Sequence, residues 1–264
     1  MLAGAAACTV VSLIPLLSTL QFVMGRGLPV LDLEFLTGLP KPVGEPGGGM
    51  GNAIVGSLIV VGLACAVGLP VGVGAGIYLA EFGRNRFGGL VRFVADVLTG
   101  VPSIVAGVFV YVLVVLAMKG FSALAGGLAL AVIMIPVVTR ATEEMLLMVP
   151  VSLREAGLAL GVPYWRVVLD VVLRAARGGI VTGVMLAVAR IAGETAPLLF
   201  TAFNNRFWHA GLDKPIATLP VQIYTYAISP FEEWHAQAWA GALVLVALVL
   251  SLSILARVFA ARRR

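Results

Sequence analysis

Long apolar runs alternate along this chain with short connectors that hold most of its charge. Six runs read as transmembrane helices, near 2–24, 52–80, 98–118, 122–140, 178–203 and 236–260. Each reaches the roughly 18–20 residues needed to cross a hydrocarbon core. Glycine and proline inside the second run (Gly68, Pro70, Gly72, Gly74 and Gly76) are compatible with helix, because neighbours in a bundle satisfy the freed backbone groups. The first run has no basic segment before it and is too long for a secretory signal, so it reads as an uncleaved helix. Composition agrees with an integral membrane protein: 60% of residues are apolar and 12% charged, mean hydropathy is +1.04, and soluble domains carry about 25% charge. A net charge of +5, scattered over connectors with no basic and aromatic stripe, points to no nucleic-acid partner. Cys8 and Cys65 both fall in apolar runs and read as packing residues, with no disulfide or metal framework.

The basic residues sort the connectors into two sets. One carries Arg84, Arg86, Arg92, Arg140, Arg154, Arg166, Arg174, Arg177, Arg257, Arg262, Arg263 and Arg264; the other carries Arg26, Lys41, Lys119, Arg206 and Lys214. Basic residues favour the cytoplasmic side, so the first set is expected inside, with both termini cytoplasmic. On the outer side, residues 41–51 form a glycine-rich connector, read as a flexible loop or as backbone N–H groups turned to an anion. The outer stretch 203–239 holds Phe203, Phe207, Trp208, Tyr224, Tyr226, Phe231, Trp234 and Trp239, residues of the kind that anchor at a membrane interface. No P-loop occurs, so the chain is not expected to hydrolyse ATP.

Residues 152–161, Ser-Leu-Arg-Glu-Ala-Gly-Leu-Ala-Leu-Gly, are polar in a chain that is otherwise membrane-soluble. Ser152 with Glu155 fits a capping box, Gly161 suits a helix C-terminus and Pro163 follows it, so a short helix across the cytoplasmic face is expected. A second piece, Tyr164 to Arg177, sets Val167, Val168, Val171 and Val172 on one side and Arg166, Asp170, Arg174 and Arg177 on another. The spacing Glu155-Ala156-Gly157, three residues, Gly161 resembles the EAA loop by which ABC-importer permeases engage a separate ATPase subunit. Gly157 stands where that loop has a second alanine, and Arg174 where it has a later proline.

Arg190 and Glu194 lie four residues apart in the fifth run, on one helix face. Counted from Gly178, Arg190 falls about 18 Å along the axis, inside the hydrocarbon core, where a charge costs at least about 2.5–3.5 kcal/mol and faces a bundle interior or a water-filled path. Pro197 cannot donate to the carbonyl of Gly193, so a hinge at Gly193 and Pro197 is expected beside the pair. The pair reads either as an anion-attracting group with its exchangeable partner or as a structural ion pair. Glu194 is the only acidic residue clearly inside a run.

With these residues in hand, the chain resembles the A-type permease subunit of the phosphate-specific ABC importer. The likeness runs through Gly100-Val101-Pro102-Ser103-Ile104-Val105-Ala106-Gly107, the EAA-like loop, Ala189-Arg190-Ile191-Ala192-Gly193-Glu194-Thr195-Ala196-Pro197-Leu198-Leu199-Phe200-Thr201-Ala202, Thr218 to Tyr224, and Ala238 to Ala242. It implies an all-α integral membrane protein with about six transmembrane helices and the type I ABC-importer permease fold, MetI-like. Residues 1–51 would be the first helix and extracytoplasmic loop, and 52–264 a permease core with a cytoplasmic coupling loop at 141–177. Glu155, Ala156, Gly157 and Gly161 would couple to the ATPase. Arg190, Glu194 and Thr195 would line the path, with the hinge at Gly193 and Pro197. The resemblance further implies no cofactor and no metal on this chain, ATP on partner subunits, and a multi-pass place in a bacterial or archaeal cytoplasmic membrane. The implied partners are a C-type phosphate permease subunit, two ATPase subunits, a soluble phosphate-binding protein and membrane lipid. A permease for another oxyanion, molybdate or sulfate, is the nearest alternative. A secondary anion transporter lacks ion-coupling carboxylates here, and His209 and His235 have no metal-ligand spacing for an enzyme.

Overall fold

Helix accounts for the regular structure of every residue that the computed structural model describes, 2–45 and 47–261, and no strand occurs among them. Pro46 of the glycine-rich connector and Arg262, Arg263 and Arg264 of the basic set lie outside the described residues. In chain order the helices are α1 (Leu2–Gly27), α2 (Leu33–Thr37), α3 (Gly51–Glu81), α4 (Arg86–Gly100), α5 (Ser103–Met118), α6 (Ala123–Leu147), α7 (Val151–Ala159), α8 (Tyr164–Ala192), α9 (Ala196–Leu199), α10 (Leu219–Ala227) and α11 (Glu232–Ala261). Among the described residues five helical stretches are long and apolar enough to cross a bilayer alone, and α4 with α5 make a sixth as a broken span.

That broken span corrects the expected straight run at 98–118. The two limbs meet at 105°. Pro102 drives the residue before it out of the helical region, and Val101 accordingly sits at φ −70°, ψ 131°. The expected run at 178–203 is corrected at both ends. Its helix begins at Tyr164, passes through Arg174 without a break, and stops at Ala192; Gly193–Thr195 interrupt it before the single turn of α9. The break thus precedes Pro197, which lies in the first turn of α9, where its missing N–H is harmless.

Helices α3 and α6 form the centre. Gly68, Gly72 and Gly76 of α3 face Met134, Val138 and Thr142 of α6, four residues apart on each, so the two helices run parallel. Methyl groups at Gly72 and Gly76 would lie 2.8 and 2.5 Å from those neighbours; small residues let the backbones approach where van der Waals contact rather than the hydrophobic effect drives association. Val60, Leu130, Met134, Ile191, Leu198 and Val221 join α3, α6, α8, α9 and α10 in one core. A second core around Phe35, Met50, Leu219 and Tyr226 closes the end that carries α2 and α10, and a third around Leu146, Val149, Val167 and Val172 closes the end that carries α7.

At the α2 end the glycine-rich connector is a packed element. The N–H groups of Gly49, Met50 and Gly51 donate to carbonyls of Leu39, Phe35 and Gly38. The anion that the connector does hold is the chain's own: Glu34 pairs with Lys41 at 2.7 Å, and this ammonium, with the Gly48 N–H, holds its carboxyl below the usual range. The aromatic stretch is likewise only partly interfacial. Tyr226 is buried and stacks on Trp234 at 4.6 Å, and Phe203 stacks on Phe121, whereas Phe207 and Trp208 are exposed. Cys65 is partly buried, but Cys8 is exposed on α1 and is not a packing residue.

Candidate functional site

The polar segment after α6 forms α7, nine residues that start two positions earlier than the capping box requires. Pro150 occupies the N-cap position and no side chain caps the helix, so Ser152 does not cap it and the Ser152–Glu155 box is absent. The C-terminus follows expectation. Gly161 adopts φ +75°, its N–H donates to Leu158 O at 2.9 Å and Val162 N–H to Gly157 O at 3.3 Å, the paired closure that a left-handed residue makes possible. Gly157 is buried, and a methyl group there would lie 2.9 Å from Val167 Cγ2. Glycine in place of a second alanine therefore seats α7 directly on the first turns of α8, where residues 167–172 are wound as π-helix. Ala156 and Glu155 are exposed. Glu155 makes no ion pair or hydrogen bond among the described residues, and Met148, Val151, Leu158 and Leu160 stand exposed around it.

Beneath this surface lies an ionic knot that the sequence reading missed. Arg154 donates from Nη2 to Glu81 Oε1 at 2.7 Å and from Nε to Oε2 at 3.2 Å. It also donates to the carbonyls of Val149 and Leu146 at 2.7 and 2.9 Å. Tyr164 adds its hydroxyl to Glu81 Oε2 at 2.6 Å. The Glu81 side chain is 2% exposed. One arginine thus ties α7 to the last residue of α3 and to backbone carbonyls at the end of α6 and just beyond it. The Glu81 carboxylate holds the Arg154 guanidinium firmly protonated, raising its pKa.

Arg190 lies two residues from the end of α8. It lines a cavity of about 230 Å³ between the α4–α5 bend and α6, otherwise walled by residues such as Leu98, Val105, Phe109, Ile133 and Val137. Ile133 is near the middle of α6, so the cation stands at mid-depth in the bundle, in a wall that is apolar apart from Thr99. Its side chain is 49% exposed, and Glu194 stands 3.8 Å away, a separation too long for a tight hydrogen-bonded pair. Glu194 and Gly193 are in the break between α8 and α9. Thr195 closes the break, its carbonyl accepting from Leu198 and Leu199 N–H. Pro197 is buried against α5, its Cα 2.5 Å from where a methyl on Gly107 would lie. The structure thus brings Arg190, Gly193, Glu194, Thr195 and Pro197 to one place, and keeps Glu155, Ala156, Gly157 and Gly161 together at the α7 end.

Glu194 does not stand alone as an acidic residue in a span. Because α6 continues to Leu147, Glu143 lies within it, its side chain 3% exposed. Arg92 of α4 donates to Glu143 Oε1 at 2.6 Å and to the carbonyls of Gly83 and Leu79. Arg140 donates to Glu143 Oε2 at 2.9 Å and to Asp96 Oδ1 at 2.8 Å, with Nη2 gripping both oxygens of the same carboxylate. The available signal was two charged pairs at helical spacing, Arg92 with Asp96 and Arg140 with Glu143, inside stretches otherwise rich in apolar residues. Among the described residues no cluster of His, Cys, Asp and Glu could hold a metal ion.

Known proteins resemble this chain over most of its length. The family described as binding-protein-dependent transport system inner membrane component matches residues 72–264. A phosphate transport system permease protein PstA from Yersinia pestis is 50% identical over 90% of this chain and 81% of its own length. Its namesake from Haemophilus influenzae is 50% identical over 89% and 83%. Among solved structures, an amino acid ABC transporter chain superposes with TM-score 0.58 at 16% identity, over 80% of this chain and 92% of that one. A chain of the MetNI methionine ABC transporter does so with TM-score 0.56 at 20% identity, over 81% and 91%. At those identities the superpositions speak to the fold, which is that of the MetI-type ABC-importer permeases.

Proposed function

The chain belongs to the family of binding-protein-dependent transport system inner membrane components, and from that premise we propose that it translocates inorganic phosphate by alternating access as one permease subunit of an ATP-driven importer. Phosphate as substrate rests on the relatives at 50% identity, which are named for phosphate transport. The mechanism rests on a single observation: one helix, α8, carries Val167 seated on α7 at one end and Arg190 in the mid-depth cavity near the other. The two points are separated by 23 residues, about 34 Å of helix.

In this reading α7 is the coupling helix. The unpaired carboxylate of Glu155 and the exposed apolar side chains around it form the docking surface for an ATPase subunit, which binds and hydrolyses ATP. Displacement of α7 passes through the Gly157–Val167 contact into α8 and shifts Arg190 relative to the α4–α5 bend. Arg190 attracts the oxyanion, and Glu194, held at 3.8 Å, is the partner that it exchanges. Gly193 and Pro197 bracket the break that lets α8 move against α9. A C-type permease subunit, a second ATPase copy and a soluble phosphate-binding protein complete the complex. The α7 end faces the cytoplasm, and both termini lie on that side.

The test is uptake of radiolabelled phosphate into proteoliposomes that hold this chain with and without the ATPase, the partner permease and the binding protein. Uptake is expected only from the full set with ATP. Uptake by this chain alone, driven by an ion gradient, overturns the reading. In the full set, Arg190→Gln lowers flux while assembly with the ATPase persists; unchanged flux assigns Arg190 and Glu194 to a structural ion pair.

A further inference from the structure

The cavity at Arg190 does not end the charged groups along α4 and α6. On α6, Ile133 and Val137 line the cavity, and Arg140 follows on the same face, one turn nearer the α7 end. On α4, Thr99 lines the cavity, and Asp96 precedes it by one turn in the same direction. Arg140 and Asp96 meet there and bridge the two helices. The ion pair therefore stands directly beyond the cavity, on the side toward α7.

The two anions on Arg140 are held very differently. Glu143 is 3% exposed and is fixed from its other side by Arg92, which is itself tied to two backbone carbonyls. Asp96 is 57% exposed, and among the described residues its contacts are with Arg140. Glu143 has nowhere to go, whereas Asp96 can swing out into the open face. Arg140 meets the Asp96 carboxylate through Nε and Nη2, the planar fork that fits any oxyanion with two oxygens on one edge. The guanidinium is charged whichever anion faces it, so an arriving phosphate can take the place of Asp96 without a change of protonation.

We propose that Arg140 is a second oxyanion-binding residue on the transport path, and that Asp96 is its exchangeable internal anion, a latch that joins α4 to α6 until phosphate displaces it. The proposal rests on the path reading of Arg190 given above. It makes Arg140 specific for anions with a bidentate edge, and it links passage of the anion to release of α4, the limb of the broken span that ends at the 105° bend.

The experiment uses the full transporter in proteoliposomes and inorganic phosphate as the probe, reading both ATP-driven uptake and release of preloaded phosphate without ATP. The two halves of the pair are expected to act with opposite signs. Asp96→Asn removes the competitor and speeds release by about threefold, the range of an exposed ion pair. Arg140→Gln removes a charge-assisted fork and slows uptake by about tenfold. Where Arg140→Gln fails to assemble, Arg140→Lys, which keeps the charge but not the fork, takes its place and is expected to slow uptake less. A merely structural pair moves both readouts in one direction, so slowed or unchanged release in Asp96→Asn overturns the latch. Arg190→Gln measured alongside separates the two readings. If it leaves flux unchanged, the path reading itself is lost; if it slows flux while Asp96→Asn does not speed release, the latch alone is lost.

Discussion

Gly157 shows what a single residue decides in this protein. The spacing from Glu155 to Gly161 is legible in the sequence, and so is the departure from a second alanine at 157. The reason for that departure is not legible, because it is the Val167 side chain ten residues on, fully buried and unable to retreat. A methyl group at 2.9 Å must displace it, and overpacking of this kind costs about 1–3 kcal/mol. Gly157→Ala is therefore expected to lower the thermal midpoint of the purified transporter and to reduce ATP-driven phosphate uptake at unchanged assembly. Val167→Ala in the same chain, which removes the atoms in the way, is expected to restore much of both. An alanine at 157 that changes neither midpoint nor uptake shows that α7 and α8 are not in contact there. Arg190 and Glu194 were legible for a different reason: a charge in an apolar run is conspicuous. Arg92, Asp96, Arg140 and Glu143 were less so, since they lie at or beyond the ends of the apolar runs read at 98–118 and 122–140, where charges are ordinary.

At the scale of elements, α7 is held from two sides, and the two attachments have different chemistry. Its apolar seat on Val167 leads into α8, and Arg154 leads into α3 and α6 through Glu81 and two backbone carbonyls. Removing one partner of a buried ion pair costs about 3–5 kcal/mol, because the other charge is left without compensation; Tyr164 contributes one hydrogen bond to the same carboxylate, worth about 1–3 kcal/mol when a buried acceptor loses it. Arg154→Ala is thus expected to loosen α7 more than Tyr164→Phe does, with ATP hydrolysis retained and phosphate moved per ATP reduced in that order. Equal ratios of phosphate to ATP in the wild type and in Arg154→Ala would show that the knot plays no part in transmission. The sequence shows why this element was read nearly right and others were not. Long apolar runs and a glycine before a proline are local signals. The start of α7 and the bend of α4 and α5 follow local signals too, Pro150 and Pro102, which a reading by apolar runs passes over, whereas α10 depends on burial of Leu219 and Tyr226 against other helices. A nine-residue helix forms by such packing, not by its own propensity.

For the whole molecule, the parallel course of α3 and α6 fixes the number of crossings. Gly68, Gly72 and Gly76 meet Met134, Val138 and Thr142 in the same order, so both helices enter at the α2 end and leave at the α7 end. The chain between them must then cross once, and the bent pair α4–α5 is a broken span, not a re-entrant loop. Six crossings follow when α1, α8 and α11 are added, and an even number returns the chain to the side on which it started. Hydrogen bonds from Ala123 and Leu124 to the carbonyls of Lys214 and Leu212 place the turn after α5 beside the loop before α10, at the end opposite α7. In a chain whose Cys8 and Cys65 are replaced by serine, Lys119→Cys and Lys214→Cys are expected to react with a membrane-impermeant thiol reagent from one side of intact vesicles. Arg84→Cys and Ser152→Cys should react only from the other, all four positions being exposed. Labelling of Lys119→Cys and Arg84→Cys from the same side would make α4–α5 re-entrant. It would also make α3 and α6 antiparallel, against the order of their glycine contacts, and it would move the α7 surface to the side away from Arg84.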